Sequence, residues 1–390
     1  MIDKLRKFDW LLFGAMASLI AIGTIAIWSA GNARAEAVFH GMWINNLVSA
    51  SVGLALYFVL ASVDYRKTLS ALSIPAYVAA IVCLVAVLLF GSEQFGGRRW
   101  LWFFQPSEIS KLCVLMLLAV LLGDEKSVLA RFRKRFCGFL VVAALIGVPA
   151  VLILAEPDLG TTLTLVPAAM TMVFVSGTWR KGLVTLSVLA GLAVLFILGA
   201  VHEAEKPGVT PERKERIMKF VPLKPHQVKR VRVFLFPEED VTGAGYNLRQ
   251  AQISIGSGGM TGKGIGKGET NHLKYLPQAI SMNDFIFCVY AEETGFVGAT
   301  VLLTLFGLLL LSGCKVAFLA TDNVGRLLAL GVTVLVFAHV YVNIAMSIGL
   351  VPITGLPLPF ISSGRTFLIT VMCGLGLVQS ISIHREEKDR

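Results

Sequence analysis

The sequence predicts an all-α polytopic membrane protein of about ten transmembrane helices, with one long extracytoplasmic loop between spans 7 and 8. Three observations carry this expectation. The chain is 55% hydrophobic and only 15% charged, whereas a soluble domain holds nearer a quarter charged residues. Its mean hydropathy is +0.74. Apolar runs of about 20 residues recur along it, the length needed to cross ~30 Å of hydrocarbon. A transmembrane β-barrel would show short alternating strands instead.

The candidate spans cover 10–30, 43–62, 70–90, 107–123, 138–155, 160–177, 182–201, 284–312, 326–350 and 365–383. The first follows MIDKLRKFD with no small-residue cleavage site after it, so it reads as a retained helix rather than a signal peptide. The second half does not repeat the first, which weakens an inverted-repeat transporter.

The net charge is +10. In a soluble protein this would point to nucleic acid; here no nucleic acid is expected, and the charge orients the spans and attracts anionic membrane lipids. Lysine and arginine cluster in alternate short loops: Lys4, Arg6 and Lys7; Arg66 and Lys67; the stretch from Lys126 to Arg135; Arg180 and Lys181; Lys315 and Arg326. The positive-inside rule makes these loops and both termini cytoplasmic. The opposite face then carries the long segment 202–283 and the Gly/Pro-rich turns, with Arg98, Arg99 and Arg365 against the bias. Chemistry is therefore expected on the outer face.

The six cysteines, Cys83, Cys113, Cys137, Cys288, Cys314 and Cys373, lie in or beside apolar spans without metal-ligand spacing. They read as small buried hydrophobes.

Five stretches are unusual for a membrane protein. SMNDFIFCVYAEETGF places Asp284 at the threshold of an apolar run and Glu292 and Glu293 inside it. Asp284 fits a first helical turn, with Ser281 or Asn283 as the cap. The two glutamates fit helix-packing ion pairs, since a carboxylate at that depth needs a partner or a polar cavity. GGRRWLWFFQPSEISKL supplies an aromatic belt, Pro106 at a helix start, and Glu108 and Lys111 at i,i+3 spacing. That pair either neutralises itself or lines an outward cavity. Arg98 and Arg99 fit lipid head groups or a diphosphate, which a planar guanidinium grips in bidentate fashion. AEPDLGTTL offers Asp158 as a helix cap beside Glu156.

In the long loop, TPERKERIMKFV predicts a basic surface helix starting with Thr210 and Pro211, and Tyr246 to Ile255 predicts a second short helix. The glycine cluster around Lys263 and Lys267 has the composition of a phosphate nest or of a flexible loop. GLVPITGLPLPFISSGRTFL holds Pro352, Pro357 and Pro359. It predicts an extended re-entrant segment, tolerated at membrane depth only against protein or a cavity.

Taken together, FQPSEISKL, EPDLGTTL, GAGYNLRQAQISIGSGG, KYLPQA, NDFIFCVYAEETGFVG and GLPLPFIS resemble the SEDS family of shape, elongation, division and sporulation proteins. They occur in family order, and the resemblance covers nearly all ten spans. FPEED, GYN and IGSGG are similar to the elongation, RodA-type branch. GIGKGETNHLKYLPQA leans towards the division, FtsW-type branch. The balance favours elongation. Two departures stand out. Asn283 replaces the family's Thr or Ser, and Ser363 and Arg365 replace an aromatic residue and a glycine in the last motif.

The resemblance implies one membrane domain over 1–390 in the bacterial cytoplasmic membrane. It also implies an inverting peptidoglycan glycosyltransferase that polymerises lipid II and releases undecaprenyl diphosphate, beside a class B penicillin-binding protein. By the same resemblance Asp284 is the catalytic residue, with Glu108 and Lys111 as the polar pair. Arg98, Arg99, Lys111, Lys263 and Lys267 are the candidates to hold the diphosphate, with a divalent cation (Mg2+ or Mn2+) as a possible cofactor. A lipid II flippase, a division-type polymerase and a non-catalytic scaffold are the alternatives.

Overall fold

The computed structural model describes residues 6–32, 41–94, 97–102, 104–127, 135–156, 158–206, 208–221, 223, 225–240, 242–273 and 275–385. Ten helices among them are long and apolar enough to cross a membrane. These are α1 (Trp10–Asn32), α2 (Met42–Ser62), α3 (Tyr65–Phe90), α4 (Pro106–Gly123), α5 (Phe136–Ala155), α6 (Leu159–Ser176) and α7 (Arg180–Ala204). Four helices follow in the long loop: α8 (Pro211–Met218), α9 (Pro225–Leu235), α10 (Ala244–Ser257) and the single turn α11 (Glu269–His272). A short α12 (Gln278–Met282) leads to the last spans, α13 (Ile286–Leu319), α14 (Asn323–Ser347) and α15 (Arg365–Ile383). A two-stranded antiparallel hairpin, β1 (Ser92–Gln94) and β2 (Gly97–Trp100), interrupts the expected all-helical pattern between α3 and α4.

The most enclosed spans are α4, α14 and α15. α14 packs on α4, α6 and α13, α15 packs on α2, and α13 also packs on α1. α7 stands mostly exposed at the edge of the bundle. The glycines here are close-approach positions: a Cβ on Gly376 of α15 would sit 2.8 Å from the carbonyl oxygen of Tyr57 in α2.

Helix ends follow local capping. Asp64, Asp158 and Asp322 each accept a backbone N–H of the following first turn. The Asp64 cap moves the start of the third span back from residue 70 to Tyr65, so Arg66 and Lys67 lie in its first turn rather than in a loop. The expected caps at Thr210, Ser281 and Asn283 do not form. Thr210 makes no side-chain cap bond, and α13 begins after Phe285, also without one.

The first and last described residues of the chain lie at one end of the bundle. The Lys7 ammonium donates to the Arg385 carbonyl at 3.1 Å, and Lys315 pairs with Asp9 at 3.1 Å. The same end holds Arg66 paired with Asp322 at 3.0 Å, with the Tyr65 hydroxyl also on Asp322. Ten alternating spans then put the hairpin, the long loop and segment 349–364 at the other end. The cysteine expectation holds only in part: Cys113 and Cys288 are buried, but Cys137 and Cys314 are exposed on their helices.

The eighth span is broken. At Gly295 the backbone turns to φ 67°, ψ −165° inside α13. The glycine loop 258–268 lies along the break and satisfies the freed backbone groups. Lys263 and Gly264 donate their N–H groups to the carbonyls of Glu292 and Glu293, and Phe296 and Val297 donate back to Gly259 and Met260. Glycine is required by this closeness. A Cβ on Gly262 would stand 2.1 Å from the Glu293 oxygen, and one on Gly295 would stand 2.3 Å from the Gly262 nitrogen.

Candidate active site

A cavity of about 490 Å³ opens at the end of the bundle away from the termini. Its wall is assembled from six parts of the chain: β2, the starts of α4 and α6, α9, the turn between α12 and α13, and segment 354–367. Asp284 lies in that turn rather than in a first helical turn, because its N–H and that of Phe285 both return to the Ile280 carbonyl. This aims a half-buried carboxyl into the cavity.

The turn is fastened to the proline segment. One Nδ2 of Asn343, in α14, donates to the Asp284 carbonyl at 2.9 Å and to the Leu356 carbonyl at 2.7 Å. Ser362 donates to the Asn283 carbonyl at 2.6 Å and accepts the Leu358 N–H at 2.7 Å. The Ser363 N–H reaches the Met282 carbonyl at 3.1 Å. Three prolines deny this segment its own helix, so its polar backbone is met by side chains of α14 and by the α12–α13 turn. The expectation of an extended, non-helical segment therefore holds, and the segment is fastened to the turn that carries Asp284.

Two arginines share the cavity. Arg99 stands on β2 with its Nε donating to the Glu156 carbonyl at 3.4 Å. Arg230 stands on α9 with Nη1 donating to the Thr354 carbonyl at 3.4 Å. Burial pushes the Asp284 carboxyl up to about 6, against the pull of Arg230 and Arg99. Burial and the neighbouring Arg99 lower Arg230 from the usual guanidinium value, opposed by Asp158 and Asp284.

Across the cavity a chain of polar groups runs into the bundle. Asp158 accepts from Gln105 at 3.1 Å and from the Thr161 hydroxyl at 2.8 Å. Glu108 accepts from Thr161 at 3.4 Å and pairs with Lys111 at 2.8 Å. The Lys111 ammonium also meets His339 Nε2 at 2.8 Å and lies 5.4 Å from the centre of the Phe367 ring. Lys111 is 1% exposed and does not line the cavity, whereas Glu108 does. The i,i+3 pair thus both neutralises itself and presents its acidic half to the cavity.

Lys263 and Lys267, expected at the diphosphate, are not among the cavity-lining residues. Lys263 pairs with Glu292 at 2.9 Å and Glu269 at 3.4 Å. Glu292 also accepts the backbone N–H groups of Glu269 and Thr270, at 2.9 and 3.2 Å. The glycine loop is thus an anion nest whose anion is the protein's own carboxylate, where sequence composition had left a phosphate open. Glu293 accepts from the Ser29 hydroxyl at 2.5 Å, and among the described residues no cation pairs with it. The side chain of Arg98 lies outside the described residues. Arg365 is exposed and does not line the cavity, whereas Ser363 does.

Arg230, Asn343 and Thr161 were missed by sequence reasoning. The basic run PHQVKRVRVFL was a visible signal for Arg230, but not for which of its cations turns inward. No group of three or more His, Cys, Asp or Glu side chains among the described residues has the arrangement to hold a metal ion.

Comparison with known proteins agrees with this architecture. The family model described as cell cycle protein, covering FtsW, RodA and SpoVE, matches residues 9–387. The chain is 35% identical over 389 residues to the peptidoglycan glycosyltransferase MrdB of Escherichia coli, covering 98% of this chain and 95% of that one. It is 30% identical over 393 residues to stage V sporulation protein E of Bacillus subtilis, covering 98% and 99%. Among solved structures it is similar to the rod shape determining protein RodA of Thermus thermophilus, with TM-score 0.67, 28% identity and 98% of each chain covered. It is also similar, at TM-score 0.74 and 30% identity over 98% of this chain and 99% of that one, to a chain from a structure described as coordinating polymerization and crosslinking in a peptidoglycan synthase complex. From spans to site turn, the chain belongs to the FtsW, RodA and SpoVE family of cell cycle proteins, the SEDS family.

Proposed function

We propose that this protein polymerises lipid II into glycan strands at the outer face of the bacterial cytoplasmic membrane, with Asp284 as the general base. One observation carries the reading: a single cavity holds the Asp284 carboxyl and the guanidinium groups of Arg99 and Arg230. A sugar hydroxyl is a poor nucleophile until its proton is taken, and a carboxylate within hydrogen-bond reach takes it as the new bond forms. The hydroxyl oxygen bonds to the anomeric carbon, the carbon–oxygen bond to the diphosphate breaks, and the leaving diphosphate keeps that electron pair. Arg99 and Arg230 place positive charge where the diphosphate's charge develops. An α-linked donor and a β-linked product need one direct displacement, so no covalent enzyme intermediate is involved.

The lysine and arginine bias supports placing both termini in the cytoplasm and the cavity outside. The likeness to the rod shape determining protein RodA, at 28% identity over 98% of each chain, supports the elongation role in cell shape over the division role. The relative described as part of a synthase complex supports a class B penicillin-binding protein as partner. Among the described residues no group of three or more His, Cys, Asp or Glu side chains is arranged to hold a metal ion, and we read a divalent cation as entering as the counter-ion of the substrate diphosphate.

The test is reconstituted protein with its transpeptidase partner and lipid II, with glycan product and lipid II translocation measured separately. Asp284→Asn is expected to lower polymerisation roughly 10²- to 10⁴-fold. Normal polymer from that variant removes the base assignment, and translocation without polymer makes the protein a flippase.

A further inference from the structure

Behind the charged cavity lies a second one of about 270 Å³, and its character is the opposite. Leu159 and Leu163 of α6, Val231 of α9, Val342 of α14 and Ile353 of the proline segment form its wall. Arg230 and Thr354 line both cavities. Their bond, Nη1 to carbonyl at 3.4 Å, is the partition between a room with three carboxylates and two guanidiniums and a room of hydrocarbon.

A pocket with this lining offers water few hydrogen-bond partners and favours an apolar guest. The cavity also reaches the membrane side. Leu163 is 44% exposed on its span, and Leu159 and Leu163 lie one turn apart, so the wall follows α6 for ~6 Å along its axis. A guest with a doubly charged head and a branched hydrocarbon tail fits both rooms at once. The head lies against Arg230, and the tail passes the Thr354 carbonyl towards Leu163 and the lipid.

We propose that the apolar cavity beyond Arg230 seats the first isoprene units of a prenyl diphosphate, so that Arg230 marks the junction between head and tail of the lipid-linked substrate. This rests on the reading of the polar cavity as the diphosphate site. In this role Arg230 is a binding residue that sets the register of the lipid: with the tail held behind it, the anomeric carbon is carried towards Asp284.

The experiment uses the full-length protein in detergent and three probes: undecaprenyl diphosphate, inorganic diphosphate and phosphatidylglycerol. Affinities are measured for wild type, Val231→Trp and Leu163→Trp, which fill the cavity, and Arg230→Gln. Leu163 is partly exposed, so its replacement is tolerated by the fold even where Val231→Trp is not; thermal melts check both. Wild type is expected to bind undecaprenyl diphosphate more tightly than inorganic diphosphate. The two filled variants lose about tenfold for the prenyl compound, roughly the loss of one buried side chain's worth of apolar contact, and keep wild-type affinity for inorganic diphosphate. Unchanged prenyl affinity in a folded Leu163→Trp protein overturns the tail site while leaving the head site intact. Equal competition by phosphatidylglycerol overturns it as well, making the cavity a seat for any lipid. Undiminished inorganic diphosphate binding by Arg230→Gln overturns the underlying head-site reading instead.

Discussion

One amide nitrogen of Asn343 bonds the backbone carbonyls of Asp284 and Leu356, at 2.9 and 2.7 Å. The residue that offers a carboxyl to the cavity and the segment that walls it are thus pinned to each other through the C-terminal end of α14. Asn343 is fully buried. Its removal takes the donor from a buried carbonyl at Leu356 and a part-buried one at Asp284, at about 1–3 kcal/mol for a buried unsatisfied group. Asn343→Ala is expected to lower thermal stability and to lower polymerisation further than the stability loss explains. Asn343→Asp, which sets an acceptor against two acceptors, is expected to be worse. Melting curves and glycan synthesis on the same preparations check both; wild-type turnover in Asn343→Ala would show that the pin is dispensable.

Acid should silence the protein in a specific window. The Asp284 carboxyl is raised from the ordinary aspartate range to about 6, chiefly by burial. A base works only when ionised, so kcat/KM is expected to fall about tenfold per pH unit below about 6 and to level off above it. Arg230 and Arg99 both hold the carboxyl down. Arg230→Gln removes one of them, so its acid limb is expected at higher pH than wild type. A pH–rate profile of the two proteins shows the displacement; coincident limbs would detach Arg230 from Asp284.

Much of this was legible in the chain. The last span was expected at 365–383 and occupies Arg365–Ile383, because long apolar runs report membrane crossing directly. The break at Gly295 was invisible, since a glycine in an apolar run leaves its hydropathy unchanged and the repair comes from a loop some thirty residues upstream. Lys263 was assigned to a phosphate because a nest of backbone N–H groups selects negative charge and not its bearer. Arg230 could not be singled out among the cations of its helix until folding placed it against Thr354. Asp284, Glu108 and Arg99 were legible as candidates because charge at a membrane threshold is rare enough to stand out.

Glu156 makes a prediction about alkaline stability. It is fully buried, and neither carboxyl oxygen finds a hydrogen-bond partner among the described residues. Burial, with Asp158 adding to it and Arg99 opposing, pushes it up to about 8. The folded form therefore holds a proton that the unfolded chain, with an ordinary glutamate near ~4.3, releases. Stability from this group is complete below that lower value and declines as pH rises towards about 8. Glu156→Gln is expected to stabilise at pH 8, on the order of a few kcal/mol, and to change little at pH 5. Melting at both pH values tests it, and an equal shift at the two would mean that protonation is not the cause.

Two glycines in the same region separate backbone crowding from loop flexibility. Gly262 has φ 78°, and a Cβ there would stand 2.1 Å from the Glu293 carbonyl oxygen, against main chain that closes the break in α13. Gly256 lies inside α10 with nothing within 4 Å of an added Cβ. Gly262→Ala must either open the loop or displace the broken span. It is expected to reduce the yield of folded protein and to free Lys263 from Glu292, which accelerates hydrogen exchange at 292–297. Gly256→Ala is expected to be neutral or stabilising by up to about 1 kcal/mol, because alanine loses less freedom in a helix. A loop serving only as a flexible tether would tolerate both substitutions alike, and equal melting temperatures with unchanged exchange at 292–297 would establish that it does.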